Sequence, residues 1–283
     1  MLWGDRPDGK RLTNLPPLRA VMPHLMPTRT GATVYHEQRI DLTQTLPWLQ
    51  RHAAQSGTPA SLFHLLQYAL VRVLVLRPDV HRFVIGGATY QRHKIELSFA
   101  VKKKLADGAP MTTVKVEFLP TDTFEDVVRK SDAAIGLGRG AAPLTSEKEM
   151  ALFAPLPGWL LGWLVALQRR LDAWNLLPGA LTASDPLYAS AFLANLGSIG
   201  LDAPFHHLYD WGTVPIFAVL GRIHQATWVS AAGEVQVRPT AVLRYSFDER
   251  IADGLYCATS LEIVRRILES PGMEASAPGQ TVP

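Results

Sequence analysis

Apolar residues along the chain switch repeatedly between a helical and an extended spacing. Leu62, Leu65, Leu66, Ala69, Leu70, Val73 and Leu74 recur every three or four residues, which marks one face of an amphipathic helix. Ser61 precedes this run as an N-cap, and the run ends before Arg77-Pro78-Asp79 because proline disfavours helix in the residue ahead of it. Thr123 opens a second helix through Phe124, Val127, Val128 and Ile135, and Asp41-Leu42-Thr43 caps a third that contains Leu46, Trp48 and Leu49. A final helix is predicted over 255–269, stopping at Ser270-Pro271. Strand patterns occupy 34–41, 83–85, 95–101 and 112–118, where Val114, Val116 and Phe118 alternate with charge. Further strands are predicted at 192–196, 216–220, 226–230, 235–237 and 241–247, with Ala231-Ala232-Gly233 as a hairpin turn. The order is mixed α/β in one domain, with helices on a largely non-alternating sheet.

Three stretches interrupt this pattern. Residues 1–30 are proline-rich and form an arm with at most a short helix between prolines, and residues 272–283 read as a disordered tail. The glycine-rich stretch 136–143 is a break after the Thr123 helix, and no strand precedes it, so a dinucleotide-binding loop is excluded. Residues 152–181 form an apolar helical insertion. From Trp159 onward, Trp159, Trp163, Leu167, Leu171 and Trp174 share one helix face, while Gly158, Gly162 and Ala166 lie on another side, where a neighbouring element can approach. The stretch is too short to span a bilayer, which needs ~20 apolar residues. Three readings stay open for it: a packing helix within or between subunits, a peripheral membrane contact through Trp159, Trp163 and Trp174, and a cover over an acyl-chain pocket.

Composition narrows the function. Hydrophobic residues make up 47% of the 283 residues and charged ones 19%, enough for a sizeable core. The net charge of +3 comes with no basic run interleaved with aromatics, so a nucleic-acid partner is not expected. Lys102-Lys103-Lys104 is the longest basic run. It reads as a solvated strand end, or, in Lys102 and Lys103, as a contact for a phosphate-bearing ligand such as coenzyme A. The single cysteine, Cys257, excludes an internal disulfide and reads as a packed core thiol. The first residues have no apolar export core, and a cytoplasmic, or membrane-peripheral, location is expected.

Three segments in sequence order resemble one family. The first runs from YHEQRIDLT through the Leu62–Leu74 helix to RPDVHRFV and IELSFAV; the second is FLANLGSIG followed by PIFAVLGRI; the third is SFDERIADG followed by a helix and LESP. Together, over about residues 20–271, they resemble the catalytic domain of the 2-oxoacid dehydrogenase dihydrolipoyl acyltransferases and, more distantly, chloramphenicol acetyltransferase. The resemblance implies an α/β fold of two layers, a mixed sheet with helices, forming trimers with active sites between subunits. Acyl groups would pass between coenzyme A and a thiol or hydroxyl acceptor. A histidine would take the acceptor proton, and a serine or threonine hydroxyl would hold the oxyanion.

The chain departs from that family at both working positions. The family's Asp-His-Arg-x-x-Asp-Gly becomes Asp248-Glu249-Arg250-Ile251-Ala252-Asp253-Gly254, and the hydroxyl position before the Asn-Leu-Gly turn is Ala194, followed by Asn195, which is read with Lys102 and Lys103 as a candidate coenzyme A contact. An imidazole titrates near pH 6.5 and an ordinary carboxylate near 4.3, so a glutamate is a far weaker base at neutral pH. Loss of a general base costs ~10²–10⁴ in rate and loss of an oxyanion donor ~10²–10³. Family catalysis is therefore expected to be weakened or lost, and a non-catalytic trimeric scaffold or acyl-binding protein is the alternative. Asp248, Arg250 and Gly254 are read as motif framework, Glu249 and Asp253 as candidate catalytic residues, and Arg250 and Asp253 as ion-pair residues. His206-His207, followed by Tyr209 and Asp210, is the second candidate proton-handling cluster, because a carboxylate can orient an imidazole. Its plain alternative is a polar loop. With about 30 residues ahead of the domain, no covalent lipoyl group is expected, and no metal.

Overall fold

The computed structural model describes residues 4–103, 111–140, 151 and 153–272. Its main sheet has seven strands. In spatial order six of them are β2 (Thr33–Asp41), β10 (Val235–Asp248), β8 (Ile216–Leu220), β7 (Ala191–Asn195), β5 (Ile95–Lys102) and β6 (Met111–Phe118). The seventh, β9 (His224–Val229), pairs with the first half of β10. The sheet is mixed: β7 runs parallel to both β5 and β8, while the other pairs are antiparallel. A smaller antiparallel sheet joins β1 (Gly9–Arg11), β4 (Ala88–Arg92) and β3 (Arg82–Ile85).

Seven α-helices are described. They are α1 (Pro17–Leu25), α2 (Thr45–Ser56), α3 (Leu62–Leu76), α4 (Phe124–Arg139), α5 (Gly158–Ala173), α6 (Gly179–Ser184) and α7 (Gly254–Glu269). Two of the three caps read from sequence are present; the third is not, because α2 starts at Thr45 after Gln44 with no side-chain cap, and Asp41 instead accepts from Thr43 in the turn before it. Ser61 Oγ accepts from the His64 amide while His64 Nδ1 accepts from the Ser61 amide, and Thr123 and Asp126 make the same reciprocal pair.

The non-alternating strands have a physical explanation. In β7 and β8, Ala191, Leu193, Ile216, Ala218 and Leu220 enter the main core beneath α3, α4 and α7. Their neighbours Phe192, Phe217 and Val219 face the other way, into a second cluster with Leu208 and Val214. Strand side chains alternate faces, so strands buried on both faces must be apolar at every position.

Some boundaries differ from the sequence reading. The predicted strands at 235–237 and 241–247 are one strand, β10, running through Pro239. Pro239 cannot donate a ladder bond, and it lies immediately beyond the last β2 pair, Thr240–Asp41, where β10 keeps β9 as its partner. The glycine-rich break at 136–143 begins later than expected, because α4 continues through Gly136 and Gly138 to Arg139. Gly138 faces β6, and a Cβ there would stand 3.1 Å from Val114 and 3.2 Å from Thr112, so the helix crosses the strand where it has no side chain. Strands β1 and β4 carried no strong apolar signal and were not predicted. Lys104, residues 141–143, Leu152 and the tail from 273 lie outside the described residues.

Candidate functional site

Strand β10 ends at Asp248, and five residues, 249–253, lead to α7. Asp248 and Arg250 are buried and bound to each other twice, through Nε to Oδ1 at 2.7 Å and Nη2 to Oδ2 at 2.7 Å. Bidentate pairing of this kind fixes geometry as well as charge. The Arg250 amide also donates to Asp248 Oδ1, and Arg250 Nη1 donates to the Met26 carbonyl. A third buried residue, Arg29, completes the frame. Its Nε stands 3.7 Å from Asp248 Oδ2, while Nη1 donates to the Tyr209 carbonyl at 2.7 Å. Burial, the largest influence, pulls the Arg29 guanidinium below its usual range, and Asp248 opposes that. Arg29 sits in the proline-rich arm, where no spacing or motif marked it.

Glu249 is held by its backbone on both sides. Its amide donates to the Ala32 carbonyl, and its own carbonyl accepts from Arg19 at 2.7 Å. The half-buried side chain has no hydrogen bond or ion pair among the described residues. Asp253 is exposed and caps α7, accepting from the Tyr256 amide at 2.8 Å. Its local role is a helix cap, and the ion pair expected for it is not formed among the described residues. Gly254 is the first residue of α7. Cys257 is buried in that helix, and burial, helped by Asp253, pushes its thiol up to about 12, as suits a core thiol and not a nucleophile.

His206 lies on the face of the sheet away from the main core. Phe217 and Ser246 are direct cross-strand partners there. The His206 ring stacks on Phe217 with centroids 4.1 Å apart, and its carbonyl accepts a short hydrogen bond from Ser246 Oγ. His206 Nδ1 donates to the His207 carbonyl at 2.7 Å, and His207 Nδ1 donates to the Leu208 carbonyl at 3.0 Å. A carbonyl can only accept, so the proton of each neutral ring belongs on Nδ1 and the lone pair on Nε2. The Tyr209 hydroxyl stands 3.5 Å from His206 Nε2, too far for a strong bond. The expected carboxylate partner is not in place. Asp210 turns the other way and accepts from the Thr30 amide. Thr30 Oγ1 donates to the Leu208 carbonyl, so the arm pins the loop while leaving the imidazole to the backbone.

The weaker candidates fall at the opposite end of the strands. Asn195 closes β7 opposite Leu220, and its Oδ1 accepts from the Ser198 amide, which makes it the anchor of a tight turn. Ala194 pairs with Val219 and adds no polar group. Lys102 ends β5, parallel to β7, and Lys103 follows it. Leu220 is opposite Leu243, six residues before Glu249, and at ~3.3 Å per residue the two ends are roughly 20 Å apart within one chain. A cavity of about 180 Å³ is lined by Arg29, Asp210, Trp211, Gly212 and Arg250 among others, but not by Glu249, His206 or His207. No cluster of three or more metal-binding side chains occurs among the described residues.

This frame, a paired aspartate and arginine, closes a long strand of a mixed α/β fold whose likeness to acyltransferase cores is seen in both sequence and structure comparisons. Residues 176–274 match the model of the family described as 2-oxoacid dehydrogenases acyltransferase (catalytic domain). The fold extends over nearly the whole chain. A probable dihydrolipoamide acetyltransferase from Listeria monocytogenes 4b F2365 superposes with a TM-score of 0.60 at 14% identity, covering 95% of this chain and 98% of that one. The dihydrolipoamide acetyltransferase of Azotobacter vinelandii, studied for the roles of a serine, a histidine and an asparagine in its catalytic mechanism, gives a TM-score of 0.56 at 14% identity, covering 92% and 93%. Chloramphenicol acetyltransferase gives a TM-score of 0.56 at 10% identity, covering 92% and 99%. No curated protein sequence matches the chain.

Proposed function

We propose that this chain is a slow acyltransferase that takes coenzyme A thioesters and uses His206, not Glu249, as its base. The orientation of His206 carries the reading: Nδ1 is committed to a carbonyl, and Nε2 keeps its lone pair on a half-buried ring, with only the Tyr209 hydroxyl 3.5 Å away. In the step envisaged, Nε2 removes the proton from a thiol or hydroxyl acceptor, and the acceptor sulfur or oxygen attacks the thioester carbonyl carbon. The tetrahedral oxyanion collapses, the carbon–sulfur bond breaks, and the departing coenzyme A thiolate takes the proton back from the imidazolium. Ala194 offers no hydroxyl to that oxyanion, and this keeps turnover slow. The roughly 20 Å between the Asn195 end and the Glu249 end supports a site built between chains, and the family resemblance favours a homotrimer as that assembly.

Acyl-coenzyme A turnover tests the base directly. His206→Ala should lower the rate by ~10²–10⁴, while Glu249→Gln should leave it within about twofold. The opposite pattern would give the role to Glu249. A second reading, a non-catalytic trimeric scaffold that binds acyl-coenzyme A, is favoured by the joint loss of the histidine and the hydroxyl. Calorimetric binding of coenzyme A with no turnover by the wild type would establish it.

A further inference from the structure

The exposed face of α5 turns three tryptophans outward. Trp159 is 76% exposed, Trp163 58% and Trp174 46%, with Leu167 beside them. None of these three indole N–H groups has an acceptor among the described residues, whereas those of Trp211 and Trp228 are bonded to Asp185 and Thr240. Among the described residues nothing lies within 4 Å of a Cβ placed at Gly158 or Gly162, so the close neighbour expected at that small-residue side is not found there.

Charge is sorted across the same helix. Arg169 and Arg170 are exposed, and Arg170 lies over the Trp174 ring at 5.3 Å. The helix's single acid, Asp172, is buried, where it accepts from Arg6 at 2.7 Å and from the Tyr188 hydroxyl at 2.5 Å. The outward face is therefore aromatic and basic with no acidic residue. The helix is sixteen residues long, and no described helix is long and apolar enough to cross a membrane.

We propose that α5 docks the protein onto an anionic lipid surface, lying in the plane of the headgroups. Tryptophan rings suit that depth, with an apolar body toward the acyl chains and an N–H toward headgroup oxygens, and the two arginines meet lipid phosphates. Charge complementarity favours this occupant over a two-fold contact between copies, which would bring Arg169 and Arg170 against the same residues with no acid to neutralise them; a heterologous contact between copies is read by the solution mass below. The proposal is independent of whether the chain is catalytic.

Vesicle co-sedimentation of the full-length protein tests it, with phosphatidylcholine alone or mixed with phosphatidylserine. The wild type should sediment with the anionic vesicles and show blue-shifted tryptophan emission. Trp159→Ser/Trp163→Ser should weaken binding at least about tenfold, since two aromatic side chains lose their apolar burial. Arg169→Glu/Arg170→Glu should weaken it by roughly 30-fold or more, because each basic residue near an anionic surface is worth about fivefold. Both pairs are exposed, and unchanged far-ultraviolet circular dichroism and urea midpoints would confirm that the variants fold. Failure to sediment with either vesicle, or binding untouched by the tryptophan pair, would overturn the proposal. A drop in solution mass for the tryptophan pair by light scattering would also overturn it, and would give the face to a second copy.

Discussion

The end of β10 and the helix α5 both combine arginine with aspartate, and they use them in opposite ways. At β10, Asp248 and Arg250 are sealed together, and Arg29 ties that pair to the loop carrying His206. Every strong contact of that frame lies within the chain. In α5 the acid is drawn inward to Arg6 and Tyr188, and the two arginines stay outside among unburied tryptophans. The first region closes on itself without the Glu249 side chain, which has no hydrogen bond or ion pair among the described residues. The second leaves apolar surface and cationic charge uncovered, and exposed patches of this kind mark interaction sites. A site's frame and its chemistry are thus separable, whereas an uncovered face is defined by what it lacks.

This contrast can be pressed experimentally. If the β10 frame keeps the geometry of a working site, Glu249→His should raise acyl-coenzyme A turnover by ~10²–10⁴, the usual worth of a general base. No rise would mean that the frame holds the fold without holding the site. Arg250→Ala should cost about 3–5 kcal/mol in urea unfolding, because it strands the Asp248 carboxylate in the core. A loss under ~1 kcal/mol would show that water reaches the pair.

A buried histidine gives the fold its own pH dependence. Burial first, and Arg92 second, hold His81 down to about 3. In the unfolded chain it titrates near 6.5, so the neutral ring contributes stability above that pH. That contribution is lost as pH falls from ~6.5 toward the folded value, at up to ~1.4 kcal/mol per unit. Urea midpoints measured at pH 7 and 5 should differ accordingly, by about 2 kcal/mol, and His81→Asn should flatten the slope. At the α5 end of the scale, Trp159→Ser should change stability by less than ~0.5 kcal/mol, since its ring is largely in solvent already. A larger loss would place the ring in a contact that the folded chain alone does not contain.

Much of the architecture is legible in the residues. Spacing alone located α3, α4 and α7, since a helix face repeats locally and its caps, Ser61 and Thr123, are local too. The strands β2, β3, β5, β6, β7 and β8 were equally readable. Strands β1 and β4 were not, because a short strand acquires its meaning from the partner that covers it. Pro239 and Gly138 misled for a related reason. Each breaks a local rule, and each is tolerated because of a neighbouring strand that sequence spacing does not reveal.

The candidate site divides along the same line. The motif Asp248-Glu249-Arg250 and the alanine at 194 are properties of the chain order, and the sequence by itself determined both. Which groups meet was decided only by the tertiary structure. Arg29 reaches Asp248 across more than two hundred residues of chain, Asp210 turns to Thr30 and leaves His206 to a carbonyl, and Asn195 ends up far from Glu249. Spacing encodes periodic, short-range preferences. The direction of a buried side chain follows from long-range packing and from the need of each buried polar group for a partner.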